Sequence, residues 1–574
     1  MRNQYQQRNQ PSITRLIVGF ATLLVLAWLR IFYFQVVTNK QLETRSINNF
    51  VRTNKVDVLR GDIVDSNGHI LATSRLVMSL YWQGTGNTRL NQHQLEILHE
   101  LAHLAPICYK RDLSAQIAHA ERNEKTYRLA KDISFEQVSR IAERFAQEPN
   151  VLIKSHFKRH YPLGTMACHF IGYLVYQDVE THAKMGLECL YHDQLKGDPG
   201  IAQYMVNATG KSLTAHTSTP GTAGKTLKTT IDLHLQQLAE QVFSTDLAGC
   251  VIIMDPKTGA IRVLISRPGF DPAIFLKPIK KEFWNELQIR KPFLNRACNA
   301  CYPPASLFKL ITISAALEQK IIAPDAHRVC VGYTTYCNRK YHCHHREGHG
   351  WISFEESLAQ SCDIIFYDIG KRINIDTLAD YANRYGLGKP TGIAFPEKSG
   401  LVPSSQWKRE HKGERWWQGE TLSAAIGQTY LLVTPMQIAR MLGAISQGYL
   451  VKPRLLEDEA IEQEPLAIKN ETLAFLKRAM RLVTKVGTAK ILGTIPDLII
   501  YGKTGTAQVV GLKEGETCGR VPEHGWFIAN FSYKNGPPLT MVMFVEHGGS
   551  SRSPTKIAYQ FLRGYRQYMQ QATD

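Results

Sequence analysis

The chain has 574 residues, 44% hydrophobic and 21% charged, with a formal net charge of +18 and eleven cysteines. Enough apolar material is present for real cores, so a disordered chain, a collagen-like or coiled-coil array and a disulfide-built scaffold are all excluded. The positive excess suits an anionic partner (nucleic acid, lipid headgroups or another anionic polymer) without choosing among them, and the length predicts about three to five units.

Leu16 to Val37 is apolar apart from Thr22, Arg30 and Gln35. As a helix it reaches about 33 Å, enough for one bilayer crossing, and Arg30 lies past the middle where it can snorkel outward. No small-residue cleavage site follows, so the stretch reads as an uncleaved single-span anchor rather than a signal peptide. Arg2, Arg8 and Arg15 before it balance Lys40, Arg45 and Arg52 after it, which leaves orientation open.

From about Gln41 to Ser244 the sequence is polar and mixed, with helical runs such as Leu95 to Ala105, and nothing in it looks catalytic. Leu227 to Leu233 reads as a strand leading into a helix from His234 to Phe243. Val251 to Asp255, a Pro256-Lys-Thr-Gly259 turn and Ala260 to Ser266 then read as a β-hairpin. Leu498 to Tyr501, Trp526 to Phe531 and Leu539 to Val545 are later strands, with helical patterns between the two strand groups. Strands at both ends of a domain with helices between predict an α+β fold with a largely antiparallel sheet, beginning near residue 246.

A serine nucleophile needs a base, and Ser-x-x-Lys puts hydroxyl and amine one helical turn apart. The spacing occurs four times, at Ser155/Lys158, Ser306/Lys309, Ser405/Lys408 and Ser553/Lys556, against about two expected by chance. Ser155 and Ser405 sit in polar, basic runs and read as solvated surface; Ser553 precedes Pro554 and reads as a helix cap. Ser306 follows Tyr302-Pro-Pro-Ala and opens an apolar helical run, which places it at a helix N-terminus where developing negative charge is favoured. Lys-Thr-Gly occurs twice. Lys257-Thr-Gly259 is the hairpin turn, whereas Lys503-Thr-Gly-Thr506 continues a strand, where a glycine allows another backbone to approach.

Together, Ser306-Leu-Phe-Lys309, Ser361-Cys-Asp363 and Lys503-Thr-Gly-Thr506 resemble the active-site set of the penicillin-binding proteins and serine β-lactamases. The resemblance extends over the chain. Arg60-Gly-Asp-Ile-Val-Asp-Ser-Asn-Gly68, Gly186-Leu-Glu188 with Leu195-Lys-Gly197, Asp255 to Gly259, Leu294-Asn-Arg296 and His524 to Phe527 look like landmarks of the class B members. Trp416 to Thr421 with Gly427-Gln428, and aspartate at 363, look most like the elongation type.

The resemblance implies a tail over 1–15, an anchor over 16–37, a non-catalytic, elongated mixed α/β pedestal over 38–245 and a transpeptidase domain over 246–574. It implies a peptidoglycan D,D-transpeptidase that binds β-lactams on the periplasmic side of the inner membrane. Ser306 would be acylated by the donor stem peptide, Lys309 would be the general base with Lys503 as its neighbouring cation, and Ser361 would relay the proton. Thr504, Gly505 and Thr506 would bind substrate, and the N–H groups of Ser306 and Thr506 would form the oxyanion hole. Asp363 is expected either to pair with Lys503 or to turn toward the substrate, because a carboxylate beside Lys309 opposes a base role. Ala305 stands where a glycine is usual. No glycosyltransferase region is evident, so the resemblance implies a SEDS-type polymerase as partner.

Cys330, Cys337, His342, Cys343, His344, His345, His349 and Cys362 crowd one segment. Cys330, Cys343, His349 and Cys362 would make a Cys3His tetrahedron typical of structural zinc, with Cys337 or His345 as substitutes and disulfides or unpaired thiols as the competing reading. Elongation-type relatives hold a metal in this segment, and acyl transfer itself needs no cofactor. Cys298-x-x-Cys301 reads as a disulfide or two buried thiols. A soluble β-lactamase and a non-enzymatic membrane scaffold are the rival functions, the first disfavoured by the anchor and long preceding region, the second by the intact motif set. Nucleic-acid binding lacks any recognition motif.

Overall fold

With no helix breaker among its apolar residues, the N-terminal stretch winds into α1 (Gln10–Phe32), which continues as a π-helical turn over Tyr33–Val37. The apolar span Ile13–Val37 is 25 residues long, with none of it buried, and by length and composition it can cross a membrane. The computed structural model describes residues 10–40, 42–43, 51–106, 113–177, 180–206, 212–508 and 522–572.

The chain forms two compact units that alternate along the sequence. One takes in Met1–Arg60, Arg75–Lys158 and Lys196–Gly224; the other takes in Gly61–Ser74, Arg159–Leu195 and Lys225–Asp574. In the first, strands Val51–Val56, Gly200–Val206 and Ser212–Thr219 make an antiparallel sheet. A helix over Gln92–Leu104, close to the run expected, starts at Asn91, whose side chain caps Gln94 N–H in a reciprocal capping box. Leu80, Trp82, Ile97, Leu101 and Ile117 form the core of this unit.

The larger unit is built on a five-stranded sheet. Its strands are β1 (Ala248–Met254), β2 (Ile261–Arg267), β7 (Leu498–Ala507), β8 (His524–Tyr533) and β9 (Leu539–Glu546), in the order β2-β1-β9-β8-β7 and antiparallel throughout. The expected hairpin is β1–β2, and the three later strands all form. Period-two alternation divides the side chains between two cores. Cys250, Ile252, Met254, Trp526, Ile528, Val542 and Phe544 face one side, toward the helices that carry the site. Val251, Ile253, Phe527, Ala529, Met541, Met543 and Val545 face the other, against helices Leu233–Val242 and Arg552–Gln571. Burying each such side chain contributes about 1.5–3 kcal/mol, so the sheet is held from both faces. Within the described residues β7 has a strand on one side only, which makes it an edge.

Between β2 and β7 lie α2 (Lys309–Glu318), the short strands β3 (His327–Cys330), β4 (Tyr333–Tyr336), β5 (Arg339–His342) and β6 (Gly350–Ser353), then α3 (Phe354–Ala359), α4 (Asp363–Arg372), α5 (Ser405–Lys412) and α6 (Gln418–Ala425). Almost every side chain of α2 is buried, from Lys309 to Ala316, so this helix runs through the interior. A mixed fold on a largely antiparallel sheet, preceded by an apolar helix, is what the sequence predicts.

Candidate active site

Two prolines and a tight turn set the position of Ser306. Pro303 and Pro304 cannot donate a backbone hydrogen bond, and Ala305 to Leu307 form a single 3₁₀ turn before α2 begins at Lys309. Ser306 therefore lies just ahead of the α-helix, not inside it. Ala305 adopts φ +50°, the left-handed region that costs an alanine about 1–2 kcal/mol, so the departure from glycine carries a physical strain. The turn is held from the side: Ala305 N–H donates to the Gly427 carbonyl (2.9 Å), and Tyr302 and Val433 exchange backbone hydrogen bonds of 2.9 Å. The indole N–H of Trp526 donates to the Pro303 carbonyl at 3.1 Å.

Lys309, Ser361, Asp363 and Lys503 converge. Lys309 Nζ donates to the Ser361 carbonyl (2.8 Å), to Ser361 Oγ (3.3 Å) and to Asp363 Oδ1 (2.7 Å). Lys503 Nζ donates to Ser361 Oγ (3.0 Å) and to the Thr504 carbonyl (3.0 Å). Both lysines are fully buried. Ser361 is presented between α3 and α4 at φ +55°, another strained residue in the cluster. The expectation that Asp363 pairs with Lys503 or faces substrate is corrected: its carboxylate forms an ion pair with Lys309 and accepts the His344 backbone N–H at 2.9 Å. Asp363 opens α4, and Lys309 reaches it because α2 lies directly beneath. Burial raises the Asp363 carboxyl, but the charge of Lys309 and the hydrogen bond of His344 outweigh it and hold the group below the usual range. Burial pushes the Lys503 amine well below its ordinary value, and the charge of Lys309 adds to the shift.

Lys503 to Thr506 lie on the edge strand β7, with Gly505 opposite Trp526 in the register. A β-carbon on Gly505 would stand 3.3 Å from both Leu307 and Trp526, so glycine lets the edge lie against the Ser306 turn. Thr504 Oγ1 is bonded to Thr488 Oγ1 at 2.6 Å, and Thr506 Oγ1 accepts the Ser551 N–H at 3.1 Å.

The other three Ser-x-x-Lys pairs lie elsewhere. Ser155 is exposed on a strand; Ser405 Oγ donates to Asp376 (2.6 Å); Ser553 is in the first turn of the last helix, where Ser551 rather than Ser553 is the cap. Lys408 is not solvated surface. It is 1% exposed, with Nζ 2.7 and 2.8 Å from the Glu420 oxygens and 3.2 Å from Glu414, a pairing that sequence position alone does not reveal.

The soft ligands gather as the sequence predicts. One ligand atom each from Cys330, Cys343, His349 and Cys362 lies within 4.8 Å of all the others. A tetrahedron with zinc–sulfur bonds near 2.3 Å has edges of about 3.8 Å, so the set is close to a ligand sphere without large movement. The donor chemistry fits: the three cysteines are buried, and Cys343 Sγ is 3.6 Å from His349 Nδ1. A hydrogen bond from Cys362 holds Cys343 well down toward thiolate, the form a metal binds. Cys337 is exposed and His345 is turned to the Gly348 carbonyl, so neither belongs to the group. All nine cysteines among the described residues are free, including buried Cys298 and half-buried Cys301.

A hydroxyl at a strained turn, two buried amines sharing a second hydroxyl and a free sheet edge alongside are what serine acyl transfer to or from a peptide-like substrate requires. The chain belongs to the penicillin-binding protein transpeptidase family: residues 249–563 match the penicillin-binding protein transpeptidase domain, and residues 55–229 match the penicillin-binding protein dimerisation domain. It is 29% identical to the peptidoglycan D,D-transpeptidase MrdA of Haemophilus influenzae over 96% of this chain and 91% of that protein. A solved complex between penicillin-binding protein (PBP2) and MreC from Helicobacter pylori superposes with a TM-score of 0.77 at 24% identity, covering 90% of this chain and 99% of the other. A chain from a peptidoglycan synthase complex that coordinates polymerization and crosslinking gives a TM-score of 0.73 at 28% identity, covering 96% and 98%.

Proposed function

We propose that this chain is a peptidoglycan D,D-transpeptidase of the elongation type, tethered by α1 to the inner membrane with its catalytic body in the periplasm. The observation that carries the reading is the convergence of Lys309, Lys503, Ser361 and Asp363 beside the Ser306 turn, in a chain of this family. Its parts are a tail over 1–15, the anchor over 16–37, a pedestal over 38–245 and the transpeptidase domain over 246–574.

Ser306 attacks the carbonyl between the terminal D-alanines of a donor stem peptide, D-alanine departs, and an amine of a neighbouring stem attacks the acyl-serine. An ammonium has three protons, and all three of Lys309 are engaged, one on Asp363. Lys309 must therefore give up a proton and the Asp363 contact before it accepts one from Ser306. Lys503 is the neighbouring group in this exchange, because it shares Ser361 Oγ with Lys309. Ser361 then passes the proton to the leaving amine. The backbone N–H groups of Ser306 and Thr506 hold the developing oxyanion. Thr504, Gly505 and Thr506 bind the substrate, which adds along the open edge of β7. Penicillin traps the same serine.

Cys330, Cys343, His349 and Cys362 would hold a structural zinc that clamps the segment bearing Ser361, and the metal supplies rigidity with no part in the acyl transfer. A SEDS-type polymerase supplies the glycan strand, and the other elongation-complex membrane proteins are its companions. The test is mass spectrometry of the full chain incubated with a labelled penicillin. An adduct mapped to Ser306 and lost in Ser306→Ala supports the reading; an unmodified Ser306 ends it.

A further inference from the structure

The segment between the first two motifs has a second face. Strands β3 and β6 pair as an antiparallel ribbon with Cys330 opposite Gly350, Val329 opposite Trp351 and Arg328 opposite Ile352. Cys330 and Ile352 are buried, whereas the cross-strand pair Val329 and Trp351 points away from the thiol cluster and is 51% and 69% exposed. Val331, two residues on, is 59% exposed, and the His327 ring lies parallel to the Trp351 indole at 5.8 Å between centroids. The ribbon cannot turn this face inward, because its other side is fixed through Cys330. A contiguous apolar patch centred on a tryptophan marks a surface built for contact.

Two features define the partner. Arg328 lies on the Ile352 side of the ribbon, 3.8 Å from Asp368, but Arg339, Lys340 and Arg346 in residues 327–353 are exposed against Glu347, so the partner is anionic. Flat aromatic faces beside fixed cations suit a polymer that combines pyranose rings with carboxylates. The same loop also reaches the reaction centre, since His344 N–H is bonded to Asp363, which is bonded to Lys309. A strand resting on the ribbon would thus sit on the segment that also touches the reaction centre.

We propose that the β3–β6 ribbon is an exosite for the peptidoglycan strand itself, with Trp351 stacking on sugar rings and the exposed Arg346 and Lys340 meeting stem-peptide carboxylates. The inference rests on the transpeptidase reading and names where that enzyme holds its polymer outside the cleft.

The test is co-sedimentation of the full-length, detergent-solubilised chain with purified insoluble peptidoglycan, run for wild type, Trp351→Ala, Trp351→Phe and the double variant Arg346→Gln/Lys340→Gln. Expected are an affinity at least fivefold weaker for Trp351→Ala, near-normal binding for Trp351→Phe, and weaker, less salt-dependent binding for the double variant. Acylation by a small fluorescent penicillin should stay within twofold for all, with unchanged melting temperatures. Wild-type sedimentation by Trp351→Ala overturns the proposal, as does a parallel fall in penicillin acylation, which would place the ribbon's effect inside the catalytic centre. Failure of the underlying reading looks different: wild-type protein that takes no penicillin adduct at Ser306.

Discussion

Gly427 is the tightest glycine contact of the Ser306 turn. It adopts φ +75°, and a β-carbon there would lie 2.0 Å from the Ala305 carbonyl oxygen, 2.7 Å from its carbon and 2.8 Å from Phe308 Cβ. Real β-carbons essentially never come within 3.0 Å of such atoms, so Gly427→Ala forces the loop and the turn apart by about 1 Å. The backbone on both sides must absorb this, since neither contact is the tip of a flexible side chain. A misplacement of that size costs about 100-fold in a positioned reaction, or about 2.7 kcal/mol of barrier, and the left-handed conformation adds about 1–2 kcal/mol to folding. The expected result is penicillin acylation of Ser306 slowed about 100-fold in stopped-flow, with a lowered melting temperature. Gly413→Ala is the control, because Gly413 has φ +69° but nothing within 4 Å. It should lose about 1 kcal/mol of stability and acylate normally. Equal acylation rates for the two variants would refute the argument that Gly427 fixes the position of Ser306.

His169 is 2% exposed, and burial depresses its pKa to about 4, with Nε2–H donating to the Pro292 carbonyl at 2.7 Å. Its contribution to stability is complete above pH 6.5 and disappears as pH falls through 4, about 2.5 kcal/mol of it being lost by pH 4.5. Urea melts at pH 7.5 and 4.5 should show His169→Gln to be less acid-sensitive than wild type. Glu420→Gln leaves the buried Lys408 ammonium with Glu414 alone, at 3.2 Å, and should cost up to about 3 kcal/mol by urea denaturation, while Lys408→Met with Glu420→Gln recovers most of it. Metal analysis of the purified chain should find one zinc, lost in Cys343→Ser, and chelation should lower the melting temperature of wild type but not of that variant.

What could be read from the sequence depended on how local the cause was. Ser306 was legible because two prolines and an apolar run fix its turn and helix, and Lys503 because its glycine sits in a strand. The gathering of Cys330, Cys343, His349 and Cys362 was legible because so many soft side chains crowd one short segment. The partner of Asp363 was not, since it depends on α2 passing beneath the start of α4, a matter of tertiary packing. Lys408 misled for a related reason: a basic run looks solvated until Glu420, on a different helix, and the Trp416 ring, 5.9 Å from its amine, close over it. The left-handed conformation of Ala305 leaves no mark in composition, only the unexplained loss of a glycine. Nor does composition reveal that Gly61–Ser74 and Arg159–Leu195 pack in the larger unit, tied by a buried Arg159–Glu188 ion pair at 2.6 Å and by Arg159 reaching the Gly61 carbonyl.

Strand β9, residues 539–546, is the middle rung of the catalytic sheet, and only through it do β1 and β8 meet. The strand β1 and the strand bearing Lys503 therefore stay unconnected until residues 539–546 have been made. A chain still emerging from the ribosome has all its motifs and no assembled centre. Maturation is thereby timed by synthesis order: the enzyme stays silent until this strand arrives, and a nonsense mutation before residue 539 would leave an inert fragment.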